Sequence, residues 1–417
     1  MKILLISRCP PYPLHLGDRL ILYHLAEELE ARHHQLDLLA FYDRPTDLDE
    51  QGRYDHRFNH VELIPEPHRT QGDYLRRTLL PNMRFPRRAE QAWSPAMWQA
   101  IEARLKAETY DVVHLFGGVQ VYEYARALRG LPAMITPYES YSLYLRRVRE
   151  ALTPSPSPSG RGGQQAGAFS FSAYKKRLLI ELQFRLARGF EAWMFTPYRR
   201  VVVVSEQDRE ELLDINPTLP VEVIPNGVDL YHFRRARVKR KAPALLFVGN
   251  YEYAPNVDAA LRLAREILPQ VQKRQSDVKL WLVGNAPTPE LQALAGDTIH
   301  VTGRVPDVRP YLARAAAFVC PLRLGAGIKN KVLEALAIGC PVIATPLSLD
   351  GIAVEDGHSA LIADGDELVA AIVRLLGDAT LAQQLADHGR ALVEKQYSWD
   401  AVAERYEELY ATISRQV

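Results

Sequence analysis

Cysteine is scarce in this chain. Its 417 residues hold three, Cys9, Cys320 and Cys340, with no CxxC pair and no metal-ligand spacing, which excludes a disulfide-stapled scaffold and offers no zinc site. An excess of either charge is also lacking: 51 Lys and Arg against 50 Asp and Glu leave +1, so no nucleic-acid partner is expected. No apolar run reaches the ~18 residues of a membrane-spanning helix. The opening run, Ile3 to Ile6, is followed by Arg8 and Pro10 and is too short for a signal peptide, so the expected compartment is the cytoplasm. The first strand carries no GxGxxG, which argues against nicotinamide-dependent redox chemistry. What remains is a globular composition, 47% apolar and 24% charged, in a chain longer than one usual domain.

Short apolar runs alternate with helical patterns. Ile3 to Ile6 and Leu36 to Phe41 are apolar on both faces, as buried parallel strands are. Val61–Ile64, Asp111–Leu115, Ala133–Thr136 and Val201–Val204 continue the series. The pattern restarts near residue 243 with strands at Ala244–Val248, Val278–Val283, Ile299–Thr302, Ala317–Cys320 and Pro341–Ala344, with helices at Asn256–Val271 and Lys329–Ile338 among them. Strands separated by helices predict an α/β fold of two doubly wound, Rossmann-like domains. The expected division is 1–220, a linker at 221–242, 243–396, and a last helix at 397–417. Residues 153–170 are rich in Pro, Ser and Gly and read as a disordered insertion. Arg234 to Lys241, with six basic residues in eight, reads as a solvated connection.

Ligands of doubly wound sheets bind at the carboxyl ends of strands. The strongest candidate is the loop and helix after Cys320. Gly325 and Gly327 let backbone approach a ligand, and Lys329 and Lys331 open the helix behind them. Cations there oppose the helix dipole, and the conflict disappears if a phosphate is held by both ammonium groups and the backbone amides. Asn330, Lys331 and Glu334 share a helical face, and a carboxylate there can accept hydrogen bonds from two adjacent hydroxyls, such as those of a ribose.

The run from Gly325 to Pro341, with the strand ends Phe247-Val248-Gly249, Leu282-Val283-Gly284 and Val301-Thr302-Gly303-Arg304-Val305, resembles family 4 glycosyltransferases of the GT-B fold. Val203-Val204-Ser205-Glu206 and Val223-Ile224-Pro225-Asn226-Gly227-Val228-Asp229 are similar to that family's domain crossover. The resemblance implies two Rossmann-like domains facing across a cleft. It implies transfer of a sugar from a UDP- or GDP-sugar with retention of configuration, and without a metal or other cofactor. The acceptor would be a carbohydrate or a lipid-linked molecule, as in the building of cell-envelope polysaccharide. Glu334 would bind the ribose and Lys329 and Lys331 the diphosphate. The backbone at Arg304-Val305 and near Gly284 would hold the base, and Gly17 would reach the donor phosphate or the acceptor. Gly249, Asn250, Arg323, Gly325, Ala326, Gly327, Ile328, Asn330 and Leu333 complete the implied donor site.

Three departures stand out. Ala326 occupies the position of the family's first loop carboxylate, and Asn250 to Tyr253 replace a basic pair, so the phosphate would fall to Lys329, Lys331 and Arg323. Phe116 stands where many relatives carry a histidine, which leaves His114, Glu139 and Asp18 as candidate catalytic groups. Asp18 is equally well placed as a helix N-cap. A nucleotide-sugar-binding protein without turnover fits the same residues. Finally, Tyr174 to Phe195 is a basic amphipathic stretch, with Leu178, Leu182, Leu186, Phe190 and Trp193 at near-helical spacing, suited either to its own domain or to peripheral contact with an anionic membrane.

Overall fold

The computed structural model describes residues 1–14, 17–151, 171–235, 243–325 and 327–415. The insertion expected at 153–170, most of the basic run 234–241 and Ala326 therefore lie outside the described residues. The chain forms two compact units, Met1–Ile224 with Ala403–Val417, and Pro225–Val402.

The first unit is built on seven strands: β1 (Lys2–Ser7), β2 (Gln35–Tyr42), β3 (His60–Pro65), β4 (Val112–Phe116), β5 (Ala133–Tyr138), β6 (Arg200–Val203) and β7 (Val221–Val223). Their order is β3-β2-β1-β4-β5-β6-β7, and the pairs are parallel, Ile3 lying opposite both Leu36 and Val112. Ile3 to Ile6 and Leu38 to Phe41 are fully buried, as their unbroken apolar runs require. The order reverses between β1 and β4, so loops on the two sides part at the carboxyl ends of these strands.

The second unit repeats the plan with β8 (Ala244–Val248), β9 (Lys279–Val283), β10 (Ile299–Val301), β11 (Ala317–Cys320), β12 (Val342–Ala344) and β13 (Leu361–Ile362). The order is β10-β9-β8-β11-β12-β13, again parallel. Helices Ala254–Arg262, Asn330–Ala337 and Gly365–Gly377 cover it, and Leu246, Phe247, Phe318, Val332, Leu333 and Ile372 lie in its core. The fold is thus two doubly wound α/β sheets.

Two expectations are corrected, and one strand has no counterpart among them. Residues 221–223 are not linker but β7, the edge strand beside β6. The segment expected as one helix at 256–271 runs as Ala254–Arg262, a wider turn over Leu263–Ile267 and a final turn at Leu268–Gln272. Strand β13 has only two residues, too few for a period to show.

The last helix, Trp399–Ser414, belongs to the first unit from Ala403 onward. Its Tyr406, Tyr410 and Ile413 are buried. Glu407 accepts from Arg32 and His34, both at 2.8 Å, and Arg199 donates to the Ile413 carbonyl at 2.7 Å.

His114 is fixed by the same packing. It lies fully buried on β4, with Nδ1 2.7 Å from the Tyr410 hydroxyl and Nε2 2.8 Å from Thr136 Oγ1. Burial holds its pKa well below the usual value, so the ring stays neutral. Both nitrogens are spent inside the fold, which corrects its candidacy as a catalytic group: no substrate reaches it. His114→Leu, which strands two hydroxyls, lowers the stability of the first unit by about 2–4 kcal/mol. Denaturant unfolding measures this.

Candidate active site

Three strand ends in the second unit converge through glycine. Gly249 donates its amide to the Val283 carbonyl at 3.0 Å, and Gly284 donates to the Gly303 carbonyl at 3.3 Å. A Cβ on Gly284, whose φ is +150°, would sit 1.7 Å from the Gly249 carbonyl oxygen. Only glycine lets these backbones come so close.

Around this floor runs a polar chain. The Asn250 carbonyl accepts from Asn256 Nδ2 at 2.8 Å, and Asn250 Oδ1 accepts from Asn285 Nδ2 at 3.4 Å. Asn256 Oδ1 in turn accepts from the Lys331 ammonium, which also lies 4.8 Å from the centre of the Phe247 ring. The buried Asn256 was not singled out from the sequence. Its only signal is its place on the helix just after the Gly249 strand end.

The loop after β11 completes the site. Gly325 and Gly327 take φ of +117° and +65°, conformations that disfavour any side chain. Lys329 is buried and is the N-cap of the Asn330–Ala337 helix, one position earlier than expected; its ammonium donates to the Gly327 carbonyl. Among the described residues no side chain caps this helix, which leaves its first amides without a side-chain acceptor. Asn330 Oδ1 accepts from Asn226 at 2.9 Å.

Glu334 is half-buried on the next turn. Burial pushes its carboxyl up to about 7, and the nearby Lys331 offsets this only in part. Burial also lowers the Lys331 pKa, against the pull of Cys320 and Glu334. Each charge is thus held at some cost, in a setting where burial and a nearby opposite charge act together.

Other expected members stand differently. Arg323 turns to Asp258, at 2.7 and 3.1 Å, where it is engaged within the protein. Leu333 is fully buried in the core, which corrects its side chain as a ligand contact. Ile328 packs partly against the same core. Arg304 is exposed and Val305 half-buried, just beyond β10 and Gly303.

The first unit presents its own strand ends. Gly17 opens the helix Gly17–Ala31, and Asp18 follows inside its first turn rather than capping it. Asp18 pairs with Arg8 at 2.6 Å and receives the Cys9 thiol at 3.5 Å. Glu139 is exposed just after β5. It stands between Tyr138, whose φ is +72°, and Ser140, whose amide donates to Asp208 at 2.8 Å and whose hydroxyl donates to Glu191 at 3.0 Å. Phe116 is buried, its ring 3.8 Å from that of His114.

Two doubly wound parallel sheets, one bearing a lysine-opened helix at its strand ends, set the class of the protein. Comparison with known proteins places it further. The family described as Glycosyltransferase Family 4 matches residues 20–232, and Glycosyl transferases group 1 matches residues 242–378. The chain belongs to glycosyltransferase family 4.

It is 31% identical over 234 residues to a phosphatidyl-myo-inositol mannosyltransferase of Mycolicibacterium smegmatis, a match of 52% of this chain and 59% of that protein. It is 29% identical to an MMP alpha-(1->4)-mannosyltransferase of Mycolicibacterium hassiacum over 54% of each. The chain thus spans little more than half the length of these curated relatives. Among solved structures, sucrose-phosphate synthase from Thermosynechococcus elongatus covers 100% of both chains with a TM-score of 0.67 at 19% identity. Anabaena HepE in complex with UDP covers 99% of this chain and 100% of its own, with a TM-score of 0.64 at 15% identity. These likenesses establish the GT-B class of fold.

The raised Glu334 carboxyl has a consequence for stability. From its ordinary value of 4.5 up to about 7, the folded protein holds a proton that the unfolded chain has released, so stability falls as pH rises through this window. Glu191 of the first unit, also pushed up to about 7 by burial, adds a slope of the same sign. Melting temperature measured against pH should show Glu334→Gln and Glu191→Gln each removing its own share.

Proposed function

We propose that the chain is a retaining glycosyltransferase that moves a sugar from a UDP- or GDP-sugar to a carbohydrate or lipid-linked acceptor, with no bound metal. The observation that carries this reading is the pair of inward-drawn lysines at an uncapped helix end, with an ionisable carboxyl one turn further on.

The donor's diphosphate meets Lys329, Lys331 and the amides that open the Asn330–Ala337 helix. Its ribose hydroxyls donate to Glu334, whose carboxyl has no hydrogen-bond partner among the described residues and is thereby open to them. The backbone at Gly284 and at Arg304-Val305 takes the base. As the bond between the anomeric carbon and the phosphate oxygen breaks, charge grows on the leaving diphosphate, and the preorganised lysines and amides stabilise it. The acceptor oxygen bonds to the anomeric carbon on the face the diphosphate leaves, and its proton passes to a diphosphate oxygen. No nucleophile with an adjacent base is required.

The names of the relatives support glycosyl transfer, and UDP bound to a protein of the same fold supports a nucleotide donor. The proposed setting is the cytoplasm, with peripheral contact at an anionic membrane surface. A second reading, donor binding without turnover, is favoured by two apolar positions, Ala326 and the buried Phe116, where the family resemblance implies polar groups.

A panel of UDP- and GDP-sugars, scored for hydrolysis and for transfer to carbohydrate and lipid acceptors, separates the two. Turnover with at least one donor is expected, and Glu334→Ala lowers kcat/KM by about tenfold or more through the lost charged hydrogen bonds. Unchanged turnover in that variant would remove the assignment. Binding with no product across the panel would establish the second reading.

A further inference from the structure

Four large apolar side chains stand exposed on the helix Gln71–Leu79 and the turn after it: Leu75, Leu79, Leu80 and Met83. Four more, Leu178, Leu179, Leu182 and Leu186, stand exposed on the helix Phe171–Met194. Together they are eight of the twelve such residues exposed among the described ones. Scattered apolar residues on a surface need no explanation, whereas this concentration does.

The amphipathic stripe expected along 174–195 is split by the structure. Phe190 and Trp193 are buried and belong to the core of the first unit, while the three leucines of the stripe face water. The two exposed groups lie on neighbouring elements. Tyr74 packs on Phe190 with ring centres 6.1 Å apart, and Phe85 on Trp193 at 5.6 Å. The chain from 74 to 85 therefore wraps the end of the long helix whose earlier turns carry the second leucine group.

Charge follows the same two segments. Residues 71–88 hold five arginines and one acid, and residues 171–194 hold five basic residues and two acids. The whole chain nets only +1, so the remainder is acidic. Arg77 is consumed inside by Glu123, but Arg76, Arg87 and Arg88 are exposed, and Arg84 lies over the Trp193 ring at 4.8 Å. On the long helix Arg185 pairs with Glu181 and Arg188 with Glu211 and Asp214, so the uncompensated positive charge comes mainly from the first segment. Exposed leucines beside exposed arginines suit a lipid interface, where the apolar groups enter the acyl boundary and the guanidinium groups stay at the phosphates. A second copy of this chain would set arginine against arginine across a twofold contact.

We propose that this face of the first unit, formed by residues 75–88 and the exposed leucines of the Phe171–Met194 helix, docks on an anionic lipid bilayer. The proposal rests on the peripheral-membrane reading above and names the surface that makes the contact. It is independent of the donor assignment.

Sedimentation of the full chain with vesicles tests it. Binding is expected to phosphatidylcholine vesicles containing phosphatidylglycerol, but not to phosphatidylcholine alone, and it should weaken as salt rises. Leu79→Ser with Leu80→Ser, and Leu178→Ser with Leu182→Ser, each lower the partition coefficient by about tenfold or more. Arg87→Gln with Arg88→Gln lowers it and lessens its dependence on salt. These side chains are exposed, so folding is retained, which circular dichroism checks. A wild-type chain that stays in the supernatant, or leucine variants that bind as well as wild type, overturns the proposal. A dimer that the leucine variants break assigns the face to a second copy instead. UDP binding by calorimetry reads the donor site separately: its absence with vesicle binding intact sinks the donor assignment and leaves the docking face standing.

Discussion

The Lys331 ammonium, drawn in to Asn256 and laid over the Phe247 ring, is the interaction on which the second unit's site depends. A cation at the start of a helix is opposed by the helix dipole, and burial makes it more costly still. The protein keeps it there by surrounding it with an amide oxygen, an aromatic face and a nearby carboxyl. Asn256 passes this arrangement on to Asn250, and Asn250 to Asn285, so one lysine fixes the ends of two strands and the starts of two helices.

The glycines serve this arrangement by bringing backbones together. Gly284 can press against the Gly249 carbonyl only because it has no Cβ, and the loop at Gly325 and Gly327 turns through left-handed conformations to bring Lys329 back onto its own backbone. The first unit uses buried carboxylates for a similar purpose. Glu191 receives Ser140 Oγ and the amide of Tyr141, the latter at 2.8 Å, and so seats the start of the Tyr141–Ala151 helix beside the exposed Glu139. In both units charges are buried where they hold a loop at the carboxyl end of a strand.

Family membership and site geometry bear on function at different levels. Membership in glycosyltransferase family 4 comes from sequence matched across most of the chain. The roles proposed for Lys329, Lys331 and Glu334 rest on their burial and partners here. The apolar, basic face of the first unit follows from neither, since it is made of residues that the core leaves outside.

Alternation of buried strands with helices was legible in the sequence, because strands covered on both faces must be apolar throughout and glycine must mark their ends. The lysine-opened helix was legible too, as a local conflict between charge and dipole. Other features were decided by packing. His114 looked like a catalytic group until the last helix brought Tyr410 to it from 296 residues away in sequence. Leu333 and Arg323 lie within the candidate motif, yet a helix turns one side chain to the core and Asp258 captures the other. Asn256 and the leucines of residues 75–80 carried no local pattern at all. Periodicity and glycine placement are properties of neighbours along the chain, which sequence records directly. Which side chain meets which partner depends on segments far apart, and only the folded structure brings them together.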